Sequence, residues 1–207
     1  LVIDGGAKMT GALTDAGGGL TMNIAKGRLT ATNIGAINLT SLDLGASGEL
    51  VLTADPTSGQ STLLNVAGGA NLATGSKVGL RFASKLNEAT TFTLIKAGAL
   101  TAGAVDQSLL DTTPWLYKAE LRVDAPNNAL LADVRRRTAT EAGLNAAEAG
   151  ADDAFFANFD REASVRDAVL SKTDAASFAN LYDQFLPDFT GSLFHTLAAA
   201  SDATNRA

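Results

Sequence analysis

Seventeen of the twenty glycines lie in residues 1–103, and no aromatic residue precedes Phe82. This coincidence constrains the fold more than any other feature of the chain. A core in the first half must be filled by Leu, Val, Ile, Ala and Met alone, along a backbone that bends often. Short apolar segments recur in it: Leu20-Thr21-Met22-Asn23-Ile24, Ala36-Ile37-Asn38-Leu39, Ser41-Leu42-Asp43-Leu44 and Glu49-Leu50-Val51-Leu52. Apolar and small polar residues alternate, the period-two signature of strands. Gly, Asn, Asp and Ser punctuate them, as turns require. The strands read as short and the linkers as shorter, with no room for a helical crossover. A sandwich wants larger side chains to fill about 10 Å between sheets. A solenoid has a narrow interior that aliphatics fill, and its corners favour Gly and Asn. The pattern predicts a mainly β fold, a parallel β-helix (β-solenoid) over residues 1–90.

A different regime follows. Trp115, Tyr117, Ala119, Leu121 and Val123 alternate with Lys118, Glu120, Arg122 and Asp124, which predicts a half-buried strand with those five on its apolar face. Ala125-Pro126-Asn127-Asn128 supplies a turn, and Leu130, Ala132 and Val134 continue on a return strand. An antiparallel hairpin of this kind would cap a solenoid, whose last coil otherwise exposes core and strand edges. Residues 91–138 are therefore expected to form the cap. The stretch Thr91–Gly103 is expected to be the last coil before it, with Phe92, Leu94 and Ile95 contributing to its core.

From Thr138 the pattern is helical. Phe155, Phe156 and Phe159 cluster, followed by Val165, Val169 and Leu170. Phe178, Leu181, Tyr182 and Phe185 fall at i, i+3, i+4 and i+7, one apolar stripe. Thr173 or Asp174 is the expected N-cap of that helix, and Pro187 its end. Residues 139–188 are expected to be an α-helical linker region, as a small bundle or a mobile segment. Residues 189–207 are expected to begin a further helix of small residues, Ala198 to Ala203.

Net charge is −6, with sixteen carboxylates against nine cations in residues 104–207. Neither half promises the basic face that nucleic-acid binding needs, and Arg135-Arg136-Arg137 reads as a solvated strand end. Cysteine is absent, which excludes disulfides and thiolate metal sites. No apolar run approaches the roughly 20 residues of a membrane-spanning helix. The opening at Leu1 in mid-pattern suggests a piece of a longer protein.

Chemistry is sparse. Asp188, Ser192 and His195, the one histidine, lie close in sequence but lack the G-x-S-x-G elbow. Gly69 to Gly75 followed by Ser76-Lys77 has the wrong order for a phosphate loop and reads as a turn. Asp15-Ala16-Gly17-Gly18-Gly19 lacks the calcium-binding nonapeptide repeat. Asp4, Asp15, Asp43, Glu49 and Asp55 read as scattered turn carboxylates and not as a lyase or glycosidase cluster. No catalytic residue, metal site or cofactor is expected.

Three stretches resemble the C-terminal part of an autotransporter (type V secretion) passenger from Gram-negative bacteria: Thr91-Phe92-Thr93-Leu94-Ile95-Lys96-Ala97-Gly98, Trp115-Leu116-Tyr117-Lys118-Ala119-Glu120-Leu121, and Leu130-Leu131-Ala132-Asp133-Val134-Arg135-Arg136. They look like the autochaperone module that closes a passenger β-helix. Thr140-Glu141-Ala142-Gly143-Leu144-Asn145 resembles the segment leading to the translocator. Leu181-Tyr182-Asp183-Gln184-Phe185-Leu186-Pro187-Asp188-Phe189-Thr190-Gly191-Ser192-Leu193-Phe194 resembles the stretch before the outer-membrane β-barrel, which is absent from this sequence. The resemblance implies a non-catalytic stalk and folding cap at the cell surface, with Phe92, Leu94, Ile95, Trp115, Tyr117, Leu121 and Val123 as cap core. Its implied partners are the chain's own barrel, the barrel-assembly machinery and a possible host or neighbouring-cell ligand. The self-cleavage at Asn-Asn known in some members does not carry over, because Asn127-Asn128 lies in the hairpin turn. The competing expectations are a fragment of a β-helix polysaccharide-processing enzyme and a surface adhesin.

Overall fold

A computed structural model describes residues 1–14 and 19–185. Its elements are β1 (Val2–Ile3), β2 (Ala7–Gly11), β3 (Thr21–Ala31), β4 (Gly35–Leu39), β5 (Ser41–Asp55), β6 (Gln60–Leu72), β7 (Lys77–Phe82), β8 (Thr90–Ala102), β9 (Tyr117–Asp124), β10 (Ala129–Arg136), and helices α1 (Ala139–Ala142), α2 (Ala146–Asn158), α3 (Ala163–Leu170) and α4 (Ala175–Tyr182). Short 3-10 helices span Gln107–Thr112, Ala125–Asn127 and Asp183–Phe185. The fold is mainly β with C-terminal helices, as the alternation predicts.

All ten strands belong to one curled sheet, and that sheet is mixed, not purely parallel. Its order is β1-β3-β5-β6-β8-β10-β9, with β2 on β3, β4 on β6 and β7 on β5. Parallel ladders run through its first part. Val2 faces Asn23 and Thr21 faces Ser41, steps of 21 and 20 residues. The step grows to 28 at Glu49↔Lys77 and 31 at Leu64↔Ile95. β5 and β6 also meet as an antiparallel hairpin, Ala54↔Ser61 and Asp55↔Gln60, around the turn at Pro56–Gly59. β10 then pairs antiparallel with both β8 and β9.

The strands differ from expectation in length. β3, β5, β6 and β8 run 11, 15, 13 and 13 residues, where short segments were expected. Glycine explains how a long strand bends, and at the Gly68 bend the ladder to β8 shifts register between Val66 and Gly69. A side chain at Gly68 would collide with the Thr40 carbonyl, and one at Gly98 with that of Ala67. At both bends neighbouring backbones approach too closely for a Cβ.

The interior follows the alternation, with its parity flipped in β3 at the register shift between Ile24 and Lys26. Met22, Ile24 and Leu29 of β3, Leu42, Leu44, Leu50 and Leu52 of β5, and Val78 and Leu80 of β7 are buried in one continuous core. Asp43 and Glu49, expected in turns, lie within β5 and face outward. The Asn71 amide donates to the Asp43 carboxylate and the Asn65 amide to Asn38, each across neighbouring strands. The 73–76 turn, not a phosphate loop, joins β6 to β7. Most of Asp15–Gly19, and Asp188, Ser192, His195 and the helix expected over 189–207, lie outside the described residues.

Candidate functional site

The site with the largest buried side chains lies where the parallel ladders stop. β8 receives β10 through the register Ala132↔Phe92 and Leu130↔Ile95. Phe92, Leu94, Ile95, Leu130 and Ala132 are buried there. The Phe82 ring meets Phe92 edge-on at 6.4 Å and Tyr117 at 5.0 Å. Aromatic contacts of this kind add to the area each ring buries. Tyr117 is 1% exposed, and burial holds its phenol well above the usual tyrosine range. Its hydroxyl accepts from the Leu86 N–H at 2.9 Å, so a buried polar group is paired.

The hairpin turn is built by Asn128. It sits in the left-handed region at φ 49°, which Asn tolerates better than most residues. Its carbonyl accepts from the Ala97 N–H, its side-chain oxygen accepts from the Leu100 N–H, and its amide donates to the Gly98 carbonyl. The turn thus clamps the bend at Gly98. Asn128 extends the role expected of the Ala125–Asn128 turn: it closes the hairpin and also fixes it to β8.

Three expected cap residues are less buried, with Trp115 and Leu121 packed on the edge of the core. Val123 is 44% exposed, because β9 is the outermost strand and Val123 lies near the hairpin tip. Leu121 is half-buried on the same edge. Trp115 precedes β9 altogether, because a turn closed by the Tyr117 N–H to the Pro114 carbonyl starts the strand two residues later. Its indole N–H donates to the Ala142 carbonyl and its backbone N–H to that of Lys172. Trp115 therefore joins the cap to the helices.

The helices pack against one another and against this end of the sheet. Thr138 and Glu141 form a capping box on α1, Asn145 and Glu148 another on α2, and Asp174 caps α4 by accepting from the Ser177 N–H. Phe155 contacts Phe159, Tyr182 and Phe185 at 5.6, 4.6 and 5.4 Å. Phe178 and Tyr182 of the expected stripe are buried, Leu181 is half-buried and Phe185 is exposed on the rim. Tyr182 donates to the Glu148 carbonyl, and burial, with the nearby Asp152 charge, pushes its phenol up to about 12.

Arg135, Arg136 and Arg137 are not a solvated strand end. Arg135 grips Glu141 through both carboxylate oxygens at 2.7 and 2.6 Å, the bidentate geometry that suits guanidinium. That pairing holds the Glu141 carboxyl far below its usual range. Arg136 bridges Asp152 and Asp153 and lies 4.0 Å from the centre of the Phe156 ring. Arg137 lies 4.2 Å from the Trp115 ring centre and donates to the Trp115 carbonyl. Each arginine bonds outside its own strand, in α1, in α2 or in the segment before β9.

Lys85, which the sequence reading missed, completes the joint. It is 8% exposed in the loop between β7 and β8. Its ammonium donates to Asp160 at 2.8 Å and to the Phe156 carbonyl at 3.2 Å, and lies 5.3 and 5.4 Å from the Phe156 and Phe159 ring centres. The bond from Lys85 keeps the Asp160 carboxyl below its ordinary value. One residue on, Leu86 holds Tyr117. A single loop thus ties the cap core to the helical segment. Nothing in the local pattern Ser84-Lys85-Leu86 signals this, since its partners lie 71 and 75 residues away.

Among the described residues, no group of three His, Asp or Glu side chains is placed to hold a metal ion. No family model, curated protein or solved structure matches the chain.

Proposed function

We propose that this chain is the membrane-proximal stalk and folding cap, or autochaperone, of a surface-displayed autotransporter passenger, with a structural and not a catalytic role. In this reading the parallel ladders are successive coils of a right-handed β-solenoid, and β9–β10 is the module that ends it. The observation that carries the proposal is the antiparallel seating of β10 on β8, directly over the aromatic cluster of Phe82, Phe92 and Tyr117. A parallel stack grows by templating each strand on the one before, so its terminal edge must be closed and its first coil must form without a template. A hairpin with local contacts and large buried rings meets both needs. The partners in this role are the chain's own outer-membrane barrel and the machinery that assembles it, at the bacterial surface.

The test uses the full-length protein with its barrel. Tyr117→Ala should lower protease-accessible passenger at the cell surface while barrel insertion, read by heat-modifiable gel mobility, stays normal. Normal passenger display would refute the folding role.

A further inference from the structure

We infer that the outer face of the sheet formed by β2, β3, β5 and β7 binds a linear anionic polysaccharide. The register gathers charges that are scattered in the sequence into one column. Lys8 faces Arg28, Arg28 faces Glu49, Glu49 faces Lys77, and Lys77 bridges to Asp106. Lys26 lies two residues before Arg28 on the same side of β3, and Arg81 four residues after Lys77 on the same side of β7. Five cations and three carboxylates, Glu49, Asp55 and Asp106, thus share one face of a chain whose net charge is −6.

Stability alone does not account for this pattern. Arg28 pairs with Glu49 at 2.6 Å and Lys77 with Asp106 at 3.8 Å. Among the described residues Lys8, Lys26 and Arg81 form no ion pair, and all three are exposed. Lys8 directly opposite Arg28 is a like-charge ladder pair, which weakens a sheet. A bound polyanion relieves that repulsion.

The chemistry of the face selects the kind of polyanion. Strands about 4.8 Å apart spread the column from Lys8 to Lys77 over about 14 Å, room for several sugar units across the strands. Thr10, Thr30 and Ser47 add hydroxyls between the cations. No aromatic side chain is presented there for base stacking, which single-stranded nucleic acid uses. A hydroxyl-bearing cationic face suits carboxylates borne on successive sugars. This inference does not depend on the secretion role, since binding and surface display are measured separately.

The test is binding of the purified chain to polygalacturonate, with duplex DNA as the competing polyanion. Lys8→Glu/Lys26→Glu/Arg81→Glu is compared with Lys96→Glu/Lys118→Glu/Arg161→Glu, which changes net charge equally on other surfaces, and circular dichroism confirms that both fold. The face variant should weaken binding by about tenfold or more and the control by less than about threefold, with affinity falling as salt rises. Absence of binding at low salt, equal losses in both variants, or DNA bound as tightly as polygalacturonate would each overturn the inference.

Discussion

Residues 1–72 and residues 77–185 are held together by different means. In the first region the core is aliphatic, bends are made by glycine, and each strand leans on the strand beside it. Its cross-strand polar contacts are short-range in space and lie between neighbouring strands, such as Asn65 with Asn38 and Thr53 with the Ala31 carbonyl. In the second region aromatic rings join the aliphatic core and the ties are long-range, with Lys85 reaching Asp160 and Trp115 reaching Ala142 and Lys172. The first region behaves as a sum of neighbour interactions; the second stands or falls together. Damage in the first should stay local, and damage in the second should spread.

The largest effect tests this directly. Phe92→Ala removes a ring that meets both β10 and Phe82, and should cost about 3–5 kcal/mol. Hydrogen exchange should then rise across the cap and the helices alike. Leu29→Ala, equally buried in β3, should raise exchange in β2 to β5 and leave β8 to β10 protected. Uniform exposure in both variants would erase the distinction between the regions.

A smaller effect is expected at the joint. Lys85→Met keeps the aliphatic stem and removes the charge. Breaking a fully buried pair costs more, but Asp160 is about a third exposed, so about 1–2 kcal/mol is expected. Trp115 fluorescence and proteolysis within α2 and α3 should report loosening of the helices before the sheet melts. Acid should act in the same way. The carboxyls of Asp160 and Glu141 are held below their ordinary values, so their stabilisation is present at neutral pH and is lost as pH falls through those lowered values. The helices should release below about pH 4, although Asp152, whose carboxyl burial raises, works in the opposite sense. Lys85→Met should flatten that acid transition; an unchanged profile would remove Lys85 from the joint.

The smallest effect is expected at Arg122, whose pair with Asp133 is exposed on both sides. Arg122→Ala should leave the Tm unchanged within error. A loss matching that of Lys85→Met would show that burial is not what separates structural ion pairs from incidental ones here.

Much of the β region could be read from the chain because parity is a local property. Met22 and Ile24, or Leu94 and Leu130, face inward as alternation requires, and Leu29 does so on the opposite parity, past the register shift after Ile24. The turn at Ala125–Asn128 and the cap at Asp174 are local signals too. Parity failed where a neighbour decided the outcome. Trp115 falls outside the strand because Pro114 starts a turn, and Val123 is exposed because β9 has a strand on one side only. The joint itself was hidden, since Lys85 and Arg136 carry their meaning in residues that folding brings from far along the chain. The charged column was equally hidden, because it exists only once the 20- and 28-residue steps set Lys8, Arg28 and Lys77 in line.

Those unequal steps carry a consequence of their own. The added residues enter at corners, in the turn at 56–59 and the loop at 83–89, while the ladder from Glu49↔Lys77 to Ala54↔Phe82 stays in register. Loop length is cheap in free energy compared with a broken ladder. The loop at 83–89 brings in Lys85, the side chain that fastens the helices. A scaffold of this design can therefore acquire new attachments one corner at a time without renegotiating its core, and the corner at 56–59 is the next open address.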